Sequence, residues 1–220
     1  FRGNYLLARA FAEQVATSLP DTITQHPDSS RSWMSQSDCA RRLGWTDWNR
    51  YEAAESMIQR LNDPPFTHQL DHAERLRRFQ DELERLRPAV QPIALREAAA
   101  EYQRALAVAP DDWVLHHNLA RLLRRLGDLE GAAKSCQEVT RLLPHSSEPR
   151  VQLGVLLTEQ GRAEEALRHI DEALRLKPGS VPAINGRGLA LARQGQHDAA
   201  IREYERALRI EPHSGEAHLN

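Results

Sequence analysis

Apolar residues recur at helical spacing along most of the chain, and this pattern predicts an all-α protein. The leucines of one stretch fall three or four residues apart, at Leu119, Leu122, Leu123, Leu126 and Leu129. Residues with this spacing share one face of a helix, which can then be buried against a neighbour. The chain is therefore expected to consist of amphipathic helices joined by turns.

The second half of the chain repeats with a step of 34 residues. Glycines keep this step at Gly127, Gly161 and Gly195, and prolines keep it at Pro110, Pro144, Pro178 and Pro212. A glycine ends a helix where a left-handed residue is needed, and a proline cannot continue a helical hydrogen-bond ladder. The two series predict units of helix, turn, helix and turn.

Small residues mark the places where the two helices of each unit should meet. They are Ala120, Gly154 and Gly188 on the first helices, and Ala132, Ala166 and Ala200 on the second helices. Bulky side chains there would force the helices apart, so the pattern predicts closely packed antiparallel pairs. One pair cannot bury its own apolar surface, so each pair must stack on the next.

This framework resembles the tetratricopeptide repeat, whose signature runs W-x2-L-G-x2-Y, then A-x3-F, then P. One unit reproduces it with Arg150, Leu153, Gly154 and Leu157, followed by Ala166, Ile170 and Pro178. The Trp position holds His116, Arg150 and Ile184 instead, and Arg187 replaces the usual Leu. The resemblance implies a right-handed helix-turn-helix superhelix.

The resemblance covers residues 92–220. It comprises a second-helix half-repeat at 92–110, full repeats at about 113–146, 147–180 and 181–214, and a stub at 215–220. The stub has the spacing that opens another first helix, so we expect the array to continue beyond it. The third repeat should then expose an apolar flank that a further helix would cover.

The first 91 residues lack the 34-residue step but still indicate helices. We expect a helix within residues 1–19 and a helical junction over residues 20–91. Within the junction we expect a loop to about residue 34, followed by helices at roughly 37–43, 47–61 and 69–87. Gly44 should stop the first of these, and Thr46 should cap the second. The predicted aromatic core of this region is Trp33, Trp45, Trp48 and Tyr51.

Residues 1–15, which begin Phe1-Arg2-Gly3-Asn4, carry a second resemblance. They resemble the segment after the catalytic histidine of SGNH (GDSL-type) hydrolases. The resemblance implies catalytic His and Asp residues just upstream of Phe1 and a nucleophilic Ser further upstream, so the parent would be an esterase or acyltransferase with a repeat tail. The alternative is another upstream domain or an ordinary helical leader.

Composition and charge limit the classes of partner that the chain can be expected to bind. The net charge of −2 and a pI near 6.6 argue against nucleic acid, and no apolar stretch approaches the length of a membrane span. Cys39 and Cys136 form no CxxC pair, so neither a disulfide framework nor a thiolate metal site is indicated. The expected partner is a protein or peptide, and the compartment stays open.

Motifs for catalysis or cofactor binding are not found in the sequence. There is no Walker A loop, GxSxG or GxGxxG motif, and we expect neither a cofactor nor catalysis within the chain. His68 and His72 have the spacing of a metal pair, but Gln69 stands where a zinc protease has its glutamate. These histidines are expected to be solvated or capping residues.

The remaining candidate is the inner face formed by the first helices. One row at the 34-residue step is largely carboxamides: Asn118, Gln152, Gly186 and Asn220. Flanking positions are His117, Val151, Asn185 and Leu219, with Arg121, Val155 and Leu189 one turn on. Because a carboxamide both donates and accepts, such a row can bind the main chain of an extended peptide. The row is similar to the asparagine ladder of the tetratricopeptide region of protein O-GlcNAc transferase.

The predicted peptide site comprises His117, Asn118, Arg121, Arg125, Gln152, Val155, Asn185, Leu189 and Asn220. Arg121, Arg124 and Arg125 could attract an acidic segment, whereas the carboxylate clamp of chaperone-binding repeats is not reproduced. The simpler interpretation is a solvated helix face. The predicted function is a non-catalytic protein-binding scaffold; the alternatives are the tail of an SGNH-type hydrolase and self-assembly through the uncovered end.

Overall fold

The computed structural model describes residues 35–211, which form ten α-helices, two short 3-10 helices and no strand. The helices are α1 Gln36–Arg42, α2 Asp47–Leu61, α3 His72–Leu86, α4 Pro92–Val108, α5 Trp113–Arg125, α6 Leu129–Leu142, α7 Glu148–Glu159, α8 Ala163–Leu176, α9 Val181–Arg193 and α10 His197–Ile210. The predicted all-α fold is confirmed. The expected helix within 1–19, Trp33 and the 215–220 stub lie outside the described residues.

Helices α5 to α10 form three antiparallel pairs stacked in chain order. Each first helix packs on its own second helix and on the second helix of the preceding pair, and α7 also packs on α9. One apolar core runs through the stack from Trp48 to Ala190. The array is an α-solenoid, in which each pair buries its apolar face against its neighbours.

The first helix of each pair ends at the glycine that the sequence series predicts. Gly127, Gly161 and Gly195 have φ values of 80°, 78° and 77°. The amide after each glycine donates to the carbonyl five residues before it, at 3.0 Å or less. Asp128 N, for example, donates to Leu123 O at 2.9 Å. This is the Schellman arrangement, which satisfies carbonyls at a helix C-terminus.

Close approach within the pairs requires the small residues predicted from the sequence. A Cβ on Gly188 would lie 2.6 Å from the Tyr204 ring, and one on Gly154 would lie 2.8 Å from Cδ1 of Ile170. Both distances are shorter than van der Waals contact. The predicted role of these two glycines in helix packing is therefore confirmed.

The junction supplies the same kind of contact at the start of the array. Gly44, with φ 58°, ends α1 in the Schellman manner, and a Cβ there would lie 2.7 Å from the Tyr102 ring. Tyr102 on α4 occupies the repeat position of Ile170 and Tyr204. A turn of the junction thus takes the place of the first helix that α4 lacks, which the sequence analysis did not anticipate.

An aromatic and charged cluster holds the junction against α5. Trp48 is 2% exposed and stacks on Tyr51 with ring centroids 6.4 Å apart. The guanidinium of Arg125 lies over both rings, 5.3 Å from the Trp48 centroid and 5.9 Å from that of Tyr51. Arg121 also pairs with Glu52 of α2 at 2.8 Å. Packing of a cation on two rings favours this docked position.

Two expectations for the junction are wrong. Trp45 is 39% exposed rather than part of the core, and the backbone of Gly44 occupies the place against Tyr102 instead. The third junction helix begins at His72 rather than residue 69, because Gln69 has an extended conformation after a short 3-10 helix. Thr46 is the N-cap of α2, as predicted.

The last described pair exposes an apolar flank, as expected. Ile201 on α10 is 54% exposed, whereas Ala133 and Leu167 at the same repeat position pack against the core. Across residues 35–211, no helix combines the length and the apolar character that crossing a bilayer would require.

Two helix glycines should respond oppositely to alanine. Gly154→Ala should lower the free energy of unfolding by about 1–3 kcal/mol, because its methyl overlaps Ile170. Gly186→Ala should raise it by about 0.5–1 kcal/mol, because alanine has a higher helix propensity than glycine. The new methyl would lie 3.5 Å or more from the neighbouring side chains, so it would not overlap them. Urea denaturation measures both, and equal effects would contradict the packing argument.

Gly44 and Gly127 provide a matched pair for the junction contact. Both have a positive φ, but only Gly44 faces a ring, since a Cβ on Gly127 would have nothing within 4 Å. Both alanine variants pay the cost of a left-handed residue, about 1–2 kcal/mol. Gly44→Ala should cost roughly 1 kcal/mol or more in addition, from overpacking. Equal losses in thermal or urea unfolding would show that the junction does not dock on Tyr102.

Candidate functional site

A groove of about 580 Å³ crosses the first helices α5, α7 and α9. Its lining residues are His117, Ala120, Arg121, Arg124, Cys136, Glu148, Val151, Gln152, Val155, Leu156, Pro182, Asn185, Gly186 and Leu189. This set is called the groove below. Three successive repeats build it together from equivalent positions.

The repeat step explains why these residues meet. On α7 the groove residues Glu148, Gln152 and Val155 lie three or four positions apart, so they share one helix face. Adding 34 to their numbers gives Pro182, Gly186 and Leu189 on α9, which lie beside them. Stacking of identical units therefore aligns equivalent faces into a continuous surface.

Most of the predicted site residues meet in the groove, and two do not. His117, Arg121, Gln152, Val155, Asn185 and Leu189 line it. Arg125 instead lies over Trp48 and Tyr51, and Asn118, seven residues earlier on the same face of α5, is half-buried outside the groove. The junction contacts α5 through Arg125, which the repeat pattern alone could not reveal. Asn220 lies outside the described residues.

The groove also contains residues that sequence reasoning missed. Glu148 and Pro182 extend it by one helical turn, and Cys136 and Leu156 contribute to its floor. The signal was present for the first two, because they stand at equivalent positions of successive repeats, one turn before the predicted row. Cys136 could not be assigned because it comes from a second helix.

The predicted carboxamide row is interrupted in the structure. Gln152 is the member of that row that brings a carboxamide to the groove, where Gly186 contributes only backbone. A second carboxamide comes from the neighbouring row, at Asn185, which is 5% exposed. Gln152 Nε2 also donates to Glu148 Oε1 at 3.4 Å. The groove thus combines two amides with an apolar floor rather than a continuous ladder.

The arginines at the groove have partners within the chain. Arg121 pairs with Glu52 at 2.8 Å, and Arg124 donates from Nε to Glu159 at 3.2 Å. The third arginine of the predicted basic cluster, Arg125, packs on the two rings of the junction. The expectation that these three residues attract an acidic segment is therefore not supported by their geometry.

Burial shifts the pKa values of two groove residues. Desolvation lowers the pKa of His117, and the nearby Arg121 guanidinium acts in the same direction, so the imidazole is neutral at pH 7. Burial raises the pKa of the Cys136 thiol to about 12, which keeps it protonated. A protonated, buried thiol is neither a nucleophile nor a metal ligand.

The histidine pair considered for metal binding does not form a helical site. His68 ends a 3-10 helix, whereas His72 begins α3, so the two do not share one helix face. Within residues 35–211, His, Cys, Asp and Glu side chains form no group of three that could hold a metal ion.

Comparison with known families agrees with the repeat geometry. A model of the tetratricopeptide repeat matches residues 95–147 and 151–215, which together exceed half of the chain. The chain belongs to the tetratricopeptide repeat family. No curated protein sequence matches it. The SGNH resemblance falls on residues 1–15, outside the described residues.

Solved tetratricopeptide repeat structures share this fold. YrrB, described as a TPR protein with an unusual peptide-binding site, is 22% identical with a TM-score of 0.53, over 77% of this chain and 97% of its own. MamA is 23% identical with a TM-score of 0.52, over 57% of this chain and 73% of its own. At these identities the likeness concerns the architecture.

The lowered pKa of His117 predicts a pH dependence of stability. Below about pH 6.5 the unfolded chain binds a proton at this position more readily than the native chain, so the free energy of unfolding should fall from pH 7 to pH 5. His117→Gln should make that fall shallower. Urea denaturation across this range checks the difference, and an unchanged slope for His117→Gln would contradict the assignment.

Proposed function

We propose that this tetratricopeptide repeat protein binds an extended segment of another protein in the groove, without chemical change to it. The observation that carries the proposal is the alignment of equivalent faces of α5, α7 and α9 into one surface of about 580 Å³. Stacked helical repeats build extended binding surfaces of this kind. The description of YrrB as having a peptide-binding site is consistent with the same use of the fold.

The lining chemistry suits an extended main chain. Gln152 offers a donor and an acceptor, so it can pair with a peptide amide or carbonyl regardless of sequence. Val151, Val155 and Leu189 provide apolar surface in the same groove, where side chains of the bound segment would be removed from water. Affinity then comes from both kinds of contact.

The groove is largely built before any ligand arrives. The residues beneath it belong to the continuous core, with Leu153 and Ala183 fully buried directly behind the lining of α7 and α9. The arginines at its edge are already held by Glu52 and Glu159. A preformed site loses less conformational freedom on binding, which favours affinity.

Selection from a random library of displayed twelve-residue peptides provides ligands for a direct test. For the peptides recovered, Val155→Glu should raise the Kd about tenfold or more, since it puts a charge on the apolar floor. Gln152→Ala should raise it about three- to tenfold, the effect of one lost hydrogen bond. Fluorescence anisotropy measures these affinities.

Asn118→Ala is the matched control, because Asn118 stands at the repeat position of Gln152 but outside the groove. It should leave the Kd within about twofold, well below the effect of one lost hydrogen bond. Equal effects of Asn118→Ala and Gln152→Ala, or no effect of Val155→Glu, would contradict binding in the groove.

A further inference from the structure

Gly186 differs from the other helix glycines of the array because no packing contact requires it. It has no positive φ, and a Cβ there would lie 3.5 Å from Cδ1 of Ile170 and 3.7 Å from Cγ2 of Val155, which are ordinary contacts. Gly154 and Gly188, by contrast, would collide with their partner helices. A glycine inside a helix costs stability relative to alanine. Its place in the groove offers a different reason for it.

Because the buried Gly186 has no side chain, the groove lacks here the volume that Gln152 fills in the preceding repeat, and this space is called the gap below. Pro182 lies one turn before Gly186 and Leu189 one turn after it, with Val155 across from it on α7. In the preceding repeat the same position carries Gln152, whose side chain extends over the groove. The fold therefore accommodates a long side chain at this position, and the gap is specific to α9.

The surroundings of the gap determine what it can hold. Its nearest neighbours are the apolar side chains of Ile170 and Val155, and Pro182 and Leu189 line the groove one turn away on α9. The two arginines of the groove lie on α5, where Glu52 and Glu159 pair with them. The carboxylate of Glu148 lies on α7, one turn before Gln152, and accepts a hydrogen bond from Gln152 Nε2 at 3.4 Å. Beside the apolar walls of the gap a charged side chain would lose hydration, whereas an apolar one gains burial.

We propose that Gly186 is a specificity-determining residue, and that the gap over it receives one bulky uncharged apolar side chain, of leucine or phenylalanine size, from an extended peptide. Gln152 would pair with the peptide main chain beside that residue. This inference rests on the proposed function, and it names the class of segment that the groove selects.

Gly186→Gln separates this proposal from the carboxamide row. The substitution reproduces the residue at the same position of the preceding repeat and completes a row of carboxamides, while it fills the gap. If the gap binds an apolar side chain, affinity falls; if a carboxamide row binds the main chain, affinity rises. Gly186→Ala fills less of the gap and should weaken binding less, without the loss of stability that would confuse the result.

The experiment uses the full chain and peptides of twelve residues selected from a random displayed library. Selected peptides should share one Leu, Ile, Met or Phe, and its replacement by Ala or Asp in the synthetic peptide should raise the Kd about fivefold or more. Gly186→Gln should raise the Kd by a similar factor. Ala107→Gln, on the exposed surface of α4, is the control and should have no effect.

The outcomes distinguish the two proposals. Peptides that lose binding with Val155→Glu but are unaffected or improved by Gly186→Gln would overturn the gap while leaving the groove as the binding site. Peptides insensitive to both substitutions, or a selection that yields no groove-dependent binder, would overturn both. Unchanged circular dichroism and urea unfolding of Gly186→Gln establish that a loss of affinity comes from the groove.

Discussion

The architecture depends on one recurring contact, in which backbone without a side chain meets a large side chain of a second helix. Gly154 against Ile170 and Gly188 against Tyr204 provide it within repeats, and Gly44 against Tyr102 provides it at the junction. Interiors are packed to crystal-like density, so even one methyl at these places must displace a neighbour. The contact sets the separation within the α7–α8 and α9–α10 pairs, and stacking carries that separation along the array.

The groove is a consequence of that spacing. Because the pairs are nearly equivalent, residues 34 apart occupy equivalent places, and the exposed faces of α5, α7 and α9 align. Within this regular frame the lining varies: His117, Val151 and Asn185 share one position but differ in chemistry. The frame thus supplies a preformed surface, and the residues that vary from repeat to repeat supply its selectivity. Gly186 is the clearest case, since the frame does not need it.

The repeat pattern of the sequence predicted the features that recur from one repeat to the next. The 34-residue step was sufficient for the helix pairs, their glycine turns and the meeting of Gln152, Val155 and Leu189, because these follow from identical units placed side by side. It failed where the junction meets the array. The position of Arg125 over Trp48 and Tyr51 depends on contacts between residues far apart in sequence. Arg121 and Glu52, for example, are 69 residues apart, and no periodicity encodes their contact. Tertiary docking decided those positions.

Native-state hydrogen exchange, resolved to single amides, tests most directly whether junction and array form one frame. The account predicts that the amides of α2, α4 and α5 open together, with free energies within about 1 kcal/mol of one another, as expected of one cooperative unit. Exchange of α2 at a much lower free energy, while α4 and α5 stay protected, would contradict it. In that case the contacts of Gly44 and Trp48 would not support the first repeat, and the frame of the groove would have to be explained without the junction.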